Sequence, residues 1–117
     1  MTLPLTPAVL RAAYDYLATT PPFDKWNLPD GDDVTFRVAR DPQLFGWCDR
    51  KHGRWLIAIS ETTVGHTATL LETMAHEIVH MHEDGTGAGR GKGQHSAAFK
   101  KWAAQVSQIH GFDPKRF

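Results

Sequence analysis

The segment His66–Glu83 constrains the fold of this 117-residue chain more than any other part of the sequence. Its apolar residues, among them Leu70 and Met74, recur at helical spacing. With His76 set at 0° and about 100° of rotation per residue, these apolar positions fall between about 120° and 220°. A helix with one apolar side buries that side against other elements. The spacing therefore predicts a long helix that ends near Gly85 and packs on the domain core.

The opposite side of this predicted helix carries the motif H-E-x-x-H, which is His76-Glu77-Ile78-Val79-His80 in this chain. Four helical residues advance about 6 Å and turn about 400°, so His76 and His80 lie one turn apart on one face. Neutral imidazoles are ordinary zinc ligands, and two on one face can bind the same ion. Glu77 lies about 100° away, within reach of a metal-bound water. The motif predicts a catalytic metal site in a cleft.

A catalytic zinc site usually has three protein ligands and one water. The downstream candidates for the third ligand are His95, His110 and Asp113. His95 directly follows a glycine-rich segment and opens the last predicted helix, so that segment allows it to swing back to the metal. His110 lies fifteen residues later, which is about four helical turns. We favour His95, and leave His110 and Asp113 as alternatives.

The other elements predict an α+β layout. Thr6 and Pro7 are typical of a helix start, and the segment Phe23–Asp33 is expected to be a loop because it is rich in Pro, Asp and Gly. The stretch Trp55–Ile59 is apolar on both faces, so we expect it inside the sheet. The predicted elements are a helix over Ala8–Thr19, strands over Val34–Arg40, Leu44–Asp49 and Arg54–Ser60, and a last helix over Ser96–His110.

Composition excludes several classes of protein. The 13 basic and 13 acidic residues balance, and no apolar run approaches the length of a membrane span. The single cysteine, Cys48, rules out an internal disulfide and a Cys-only zinc ribbon, and is expected to be an inert thiol. No secretory signal is apparent. We expect one domain over residues 1–117 in a reducing cytoplasm.

The overall neutrality hides an asymmetry in charge. Residues 1–84 hold seven basic and twelve acidic side chains, a net charge of −5, whereas residues 85–117 hold six basic residues and Asp113, a net charge of +5. A basic region of this kind is either a solvated surface that complements the acidic part of the chain or a surface that contacts phosphates. Any DNA contact through this basic C-terminal third would be weak and sequence-independent.

The motif His76-Glu77-Ile78-Val79-His80, the following gap and the segment His95-Ser96-Ala97-Ala98-Phe99 resemble the SprT-like metallopeptidases, a group that includes the DNA–protein crosslink protease Spartan. The resemblance spans about Leu44 to Gly111. It implies a minimal zincin-like fold, in which an N-terminal helix and a three-stranded sheet accompany the H-E-x-x-H helix and a C-terminal helix carries the third ligand.

The resemblance further implies one Zn²⁺ per chain, bound by His76, His80 and His95, with Glu77 as the catalytic glutamate. The activity would be that of a zinc-dependent endopeptidase, in which metal-activated water attacks a peptide bond with Glu77 as general base. Substrates would be proteins or peptides, including DNA-associated proteins. Two alternatives stay open at this point: a narrow regulatory protease that cuts one repressor, and a non-catalytic, zinc-stabilised binding module.

Overall fold

Three α-helices and one three-stranded sheet make up the fold. The computed structural model describes residues 4–86, 96–113 and 117, and the side chains of residues 85 and 86 are outside that description. This α+β architecture is the predicted one. The helices are α1 (Pro7–Ala18), α2 (Thr67–Thr86) and α3 (Ala97–His110), and the strands are β1 (Val34–Ala39), β2 (Gly46–Lys51) and β3 (Arg54–Ser60).

Two helix ends follow directly from local sequence. The Thr6 hydroxyl caps α1 by accepting a hydrogen bond from the Val9 N–H (3.2 Å), and Gly111 ends α3 in the left-handed conformation at φ 78°. The predicted end of α2 at Gly85 is wrong, because the helix continues to Thr86. Glycine inside a helix costs only about 1 kcal/mol relative to alanine, so a single glycine does not by itself end one.

The sheet is mixed, with strand order β1-β3-β2. Strand β3 is parallel to β1 and antiparallel to β2, which confirms the prediction that the apolar Trp55–Ile59 stretch lies inside the sheet. The β2–β3 connection is a two-residue turn at His52 and Gly53, both with positive φ (53° and 78°). Such turns match the twist of the two strands they join. In the strand order β1-β3-β2, strand β2 lies at one edge of the sheet.

The core lies between the helices and one face of the sheet. Ile57 and Ile59 of β3 and Met74 and Ile78 of α2 are fully buried together in it. The expected loop before β1 contains two short 3-10 turns, Phe23–Lys25 and Gly31–Asp33. A hydrophobic core thus fixes α2, and its histidine-bearing side lies against the start of α3.

No helix among the described residues is long and apolar enough to cross a membrane.

Close contact between β2 and α2 depends on Gly46. A Cβ atom at this position would lie 2.6 Å from the main-chain oxygen of Ala58 and 3.3 Å from Cγ2 of Thr73. Glycine avoids both contacts, so the start of β2 can lie directly against α2. Phe45, the residue before the strand, is thereby brought beside the motif helix.

Candidate active site

The two motif histidines meet as the sequence predicts. His76 and His80 lie one turn apart on α2, and their Nε2 atoms are 3.2 Å apart. Two nitrogens bound to one tetrahedral zinc ion at 2.0–2.1 Å would be about 3.3 Å apart. The separation in the structure fits a shared ion without rearrangement of α2. The pair therefore has the donor type and the spacing that zinc requires.

The orientation of the His76 ring is set from its far side. Its Nδ1–H donates a hydrogen bond to the main-chain oxygen of Phe117 (2.6 Å). A histidine that donates from Nδ1 keeps Nε2 unprotonated, and an unprotonated nitrogen can bind a metal. This contact spans 41 residues of sequence, and no local pattern points to it. Phe117 is a site residue that the sequence analysis missed.

Aromatic rings cover the rest of the histidine pair. The ring of Phe99, on the first turn of α3, stacks on His80 at a centroid distance of 4.3 Å and meets His76 edge-on at 5.0 Å. The ring of Phe117 lies 5.5 Å from His76. Both histidines are half-buried as a result. Apolar surroundings of this kind limit water around the nitrogens and strengthen electrostatic interactions there.

Glu77 is nearly inaccessible, with 5% of its surface exposed. Burial raises its pKa from an ordinary value near 4.5 to about 8, because a carboxylate is poorly solvated there. A cation bound nearby would favour the charged form and lower this pKa again. Glu77 therefore has the properties of a group that exchanges a proton near neutral pH.

A cavity of about 420 Å³ opens beside Glu77 and His76. Phe45 and Phe117 contribute aromatic walls, and Glu72 and Thr73 line the side formed by α2. Because Phe45 directly precedes the edge strand β2, the cavity lies where that strand meets the motif helix. A polypeptide lying along β2 would pass the side chains of His76 and Glu77.

The third predicted ligand, His95, lies outside the described residues. The alternative ligand His110 has its contacts elsewhere. His110 Nε2 lies 2.8 Å from the Pro21 main-chain oxygen and 3.2 Å from Thr20 Oγ1, at the opposite end of α3 from Phe99. Asp113 follows that end with an exposed side chain, and its main-chain oxygen accepts a hydrogen bond from the N–H of Phe117 (3.1 Å). Within the described ranges, no group of three or more His, Cys, Asp or Glu side chains is placed to hold one metal ion.

His82 and Cys48 also have potentially reactive side chains, and both are packed against other parts of the fold. The His82 ring stacks on Trp26 at 4.1 Å and meets Trp102 at 4.5 Å, and burial lowers its pKa. It therefore joins α2 to α3 and to the first 3-10 turn. Burial raises the pKa of the Cys48 thiol far above its usual range, which makes this thiol a poor nucleophile.

Comparison with known proteins identifies the family. The family model of the SprT-like proteins matches residues 23–117. The chain belongs to the SprT-like family. None of the curated proteins compared with it matches significantly. SprT-like proteins are generally metallopeptidase-like and typically associated with zinc. The matched range contains the sheet, α2 and α3, whereas α1 precedes it.

The buried Glu77 predicts a pH-dependent stability of the metal-free protein. Between pH 4.5 and 8 the unfolded chain releases a proton that folded Glu77 retains, so Glu77 lowers the free energy of unfolding as pH rises through this window. Glu77→Gln removes the titration. We expect the metal-free variant to be more stable than the parent at pH 8. This gain should shrink towards pH 4.5, by at most about 1.4 kcal/mol for each pH unit.

Urea unfolding of both proteins at several pH values measures the effect. Asp84→Asn, an exposed carboxylate on the same helix, is the control and should show little pH-dependent change. A gain from Glu77→Gln that stays constant with pH would contradict the expectation.

Proposed function

We propose that this SprT-like protein is a zinc-dependent endopeptidase. The observation that supports this most directly is the 3.2 Å separation of the His76 and His80 Nε2 atoms, beside a buried Glu77 that borders a cavity. A zinc site that serves only structure needs four protein ligands and no adjacent carboxylate. A histidine pair beside a buried carboxylate and a cavity therefore supports a hydrolytic site over a purely structural one.

His76, His80 and His95 are the proposed zinc ligands. A bound Zn²⁺ supplies Lewis-acid chemistry, making water acidic enough to lose a proton near neutral pH and polarising a carbonyl group. His95 directly precedes Ser96, whose hydroxyl donates a hydrogen bond to Glu83, one turn beyond His80. The start of α3 is therefore held next to the histidine pair. This position supports His95 over His110, which is bound at the other end of the helix.

Glu77 is the proposed general base. Its carboxylate would accept a proton from the attacking water and pass it to the leaving amine. The buried position favours this role, since the group can hold or release a proton near neutral pH. Phe117 contributes by holding His76 in the orientation that presents Nε2.

The substrate is proposed to lie along β2. An edge strand can pair with an extended peptide through main-chain hydrogen bonds, which bind with little regard to sequence. Strand β2 has β3 on one side and begins at the cavity. Such binding fits cleavage of unfolded or flexible protein segments, and the cavity would then receive a side chain next to the scissile bond.

Metal analysis combined with substitution tests the proposal. We expect about one zinc per chain in the parent, and loss of most of it in His76→Ala, His80→Ala and His95→Ala. His66→Ala, an exposed histidine before α2, is the matched control and should retain zinc. Glu77→Gln should also retain zinc but lose cleavage of a denatured protein by at least about 100-fold.

The outcomes separate the alternatives. If zinc binds and the parent cleaves nothing, while a partner interaction survives in Glu77→Gln, the protein is a zinc-stabilised binding module. Cleavage of one folded target but no denatured protein would indicate a narrow regulatory protease. Full zinc retention in His95→Ala would remove His95 from the ligand set.

The aromatic lining of the cavity predicts a preference for a large apolar side chain beside the scissile bond. Phe45→Ala should lower kcat/KM for peptides with such a residue by about 10-fold, since burial of an aromatic side chain contributes roughly 1.5–3 kcal/mol. Peptides with alanine there should be little affected. Leu44→Ala is the control, because Leu44 and Phe45 are equally exposed (49% and 48%) but only Phe45 lines the cavity. Equal effects of both substitutions on all peptides would contradict this.

DNA binding by the basic C-terminal third is a further part of the proposal. Lys100 and Lys101 are exposed on α3, and contacts with phosphates would be weak and strongly salt-dependent. We expect Lys100→Glu with Lys101→Glu to abolish binding to short DNA at low salt while zinc remains bound. Arg37→Glu, an exposed cation on β1, serves as control. A parent protein that fails to bind DNA at low salt would refute this part.

A further inference from the structure

Glu83 is a buried carboxylate that the proposed mechanism does not use. It lies on α2 one turn after His80, and only 3% of its surface is exposed. A buried charge is costly unless it is hydrogen-bonded or paired. One carboxylate oxygen of Glu83 faces His80 on α2, and the other faces Ser96 at the start of α3.

One oxygen faces the histidine pair. Oε1 of Glu83 lies 3.9 Å from Nδ1 of His80. At this distance the atoms attract each other electrostatically without a direct hydrogen bond, and a shift of about 1 Å would form one. A carboxylate on this side favours the proton on Nδ1, which leaves Nε2 unprotonated towards His76. The arrangement matches the role of the Phe117 oxygen beside His76.

The other oxygen binds the start of α3. Oε2 of Glu83 accepts a hydrogen bond from the Ser96 hydroxyl. The same hydroxyl oxygen accepts one from the main-chain N–H of Phe99 (3.1 Å) and so caps α3. The Phe99 ring stacks on His80. Glu83 and Phe99 thus connect one histidine ring to the first turn of α3 in two ways.

We propose that Glu83 is a positioning residue that holds His80 in its metal-binding orientation and couples metal binding to the seating of α3 through Ser96. This inference rests on the proposed function, since it assumes that His80 is a ligand. When the ion fixes the His80 ring, the Glu83 carboxylate and the Ser96 cap are ordered with it. When α3 detaches, His80 loses both its aromatic cover and its oriented carboxylate.

A merely structural role for Glu83 makes a different prediction. If the carboxylate acted only by anchoring α3, Glu83→Gln would weaken zinc binding no more than Ser96→Ala does, since both substitutions release the same contact. A positioning residue alters the affinity for zinc even where the metal-free fold is intact. Zinc affinity, measured apart from cleavage, therefore distinguishes the two roles.

The experiment measures the zinc Kd of the full chain by competition with a chromophoric chelator at fixed pH. Glu83→Gln keeps the size of the side chain and removes its charge, and we expect zinc binding to weaken by about 10–100-fold. Asp84→Asn, the exposed neighbouring carboxylate, should bind zinc like the parent. Ser96→Ala should also weaken binding, whereas Ser96→Thr keeps a hydroxyl and should restore it.

Hydrogen exchange supplies a second readout. Adding zinc to the parent should slow exchange of the amides in the first turn of α3, and this protection should be largely lost in Glu83→Gln. Glu83→Gln is used in preference to Glu83→Ala because it keeps the size of the buried side chain and leaves no cavity. A zinc Kd for Glu83→Gln within about twofold of Asp84→Asn, with α3 still protected by zinc, would overturn the inference. A parent that binds zinc but cleaves nothing would overturn the proposed function and leave this inference standing.

Discussion

Contact between the histidine-bearing side of α2 and the first turn of α3 is the interaction on which the candidate site depends. Without it, His76 and His80 would be two exposed imidazoles on a surface helix. With it, Phe99 covers both rings and Ser96 reaches the buried Glu83. The other side of α2 lies in the core with the sheet. The helix is therefore held from two sides, and its motif is presented in a shallow, partly apolar cleft.

This double burial explains the chemistry of Glu77. A carboxylate on an exposed helix would be fully charged at neutral pH, whereas Glu77 is buried and its pKa is raised to about 8. The same surroundings that destabilise the charge in the metal-free protein would strengthen its attraction to a bound cation. The charged form of Glu77 therefore lowers the stability of the metal-free protein, and buried groups with shifted pKa values of this kind often lie at functional sites.

Close approach of the sheet to α2 forms the cavity beside the motif. Gly46 has no Cβ, which avoids a clash with the main-chain oxygen of Ala58 and a tight contact with Thr73 at the start of β2. Phe45 and an edge strand are thereby placed at the mouth of the cavity. The edge strand β2, the cavity and the motif helix thus lie next to one another within one small fold.

Local signals in the chain were enough to predict several elements of the fold. Helical spacing of apolar residues predicted α2 and placed its histidines away from the core, and Thr6 and Pro7 marked the start of α1, because capping depends on residues within one turn. The two-sided apolar stretch of β3 predicted its central position. The H-E-x-x-H motif predicted the convergence of His76 and His80, since the geometry of one helical turn decides it.

Contacts between distant segments could not be predicted in this way, because they depend on how the elements pack. The oxygen that orients His76 belongs to Phe117, 41 residues away, and burial of Phe23 within an expected polar loop depends on the core around it. The spacing of Glu83 three residues after His80 was a local signal for a supporting carboxylate, but its bond to Ser96 required the fold. Periodicity and capping report which residues share a helix or strand, whereas the partners of a buried polar group depend on how those elements pack together.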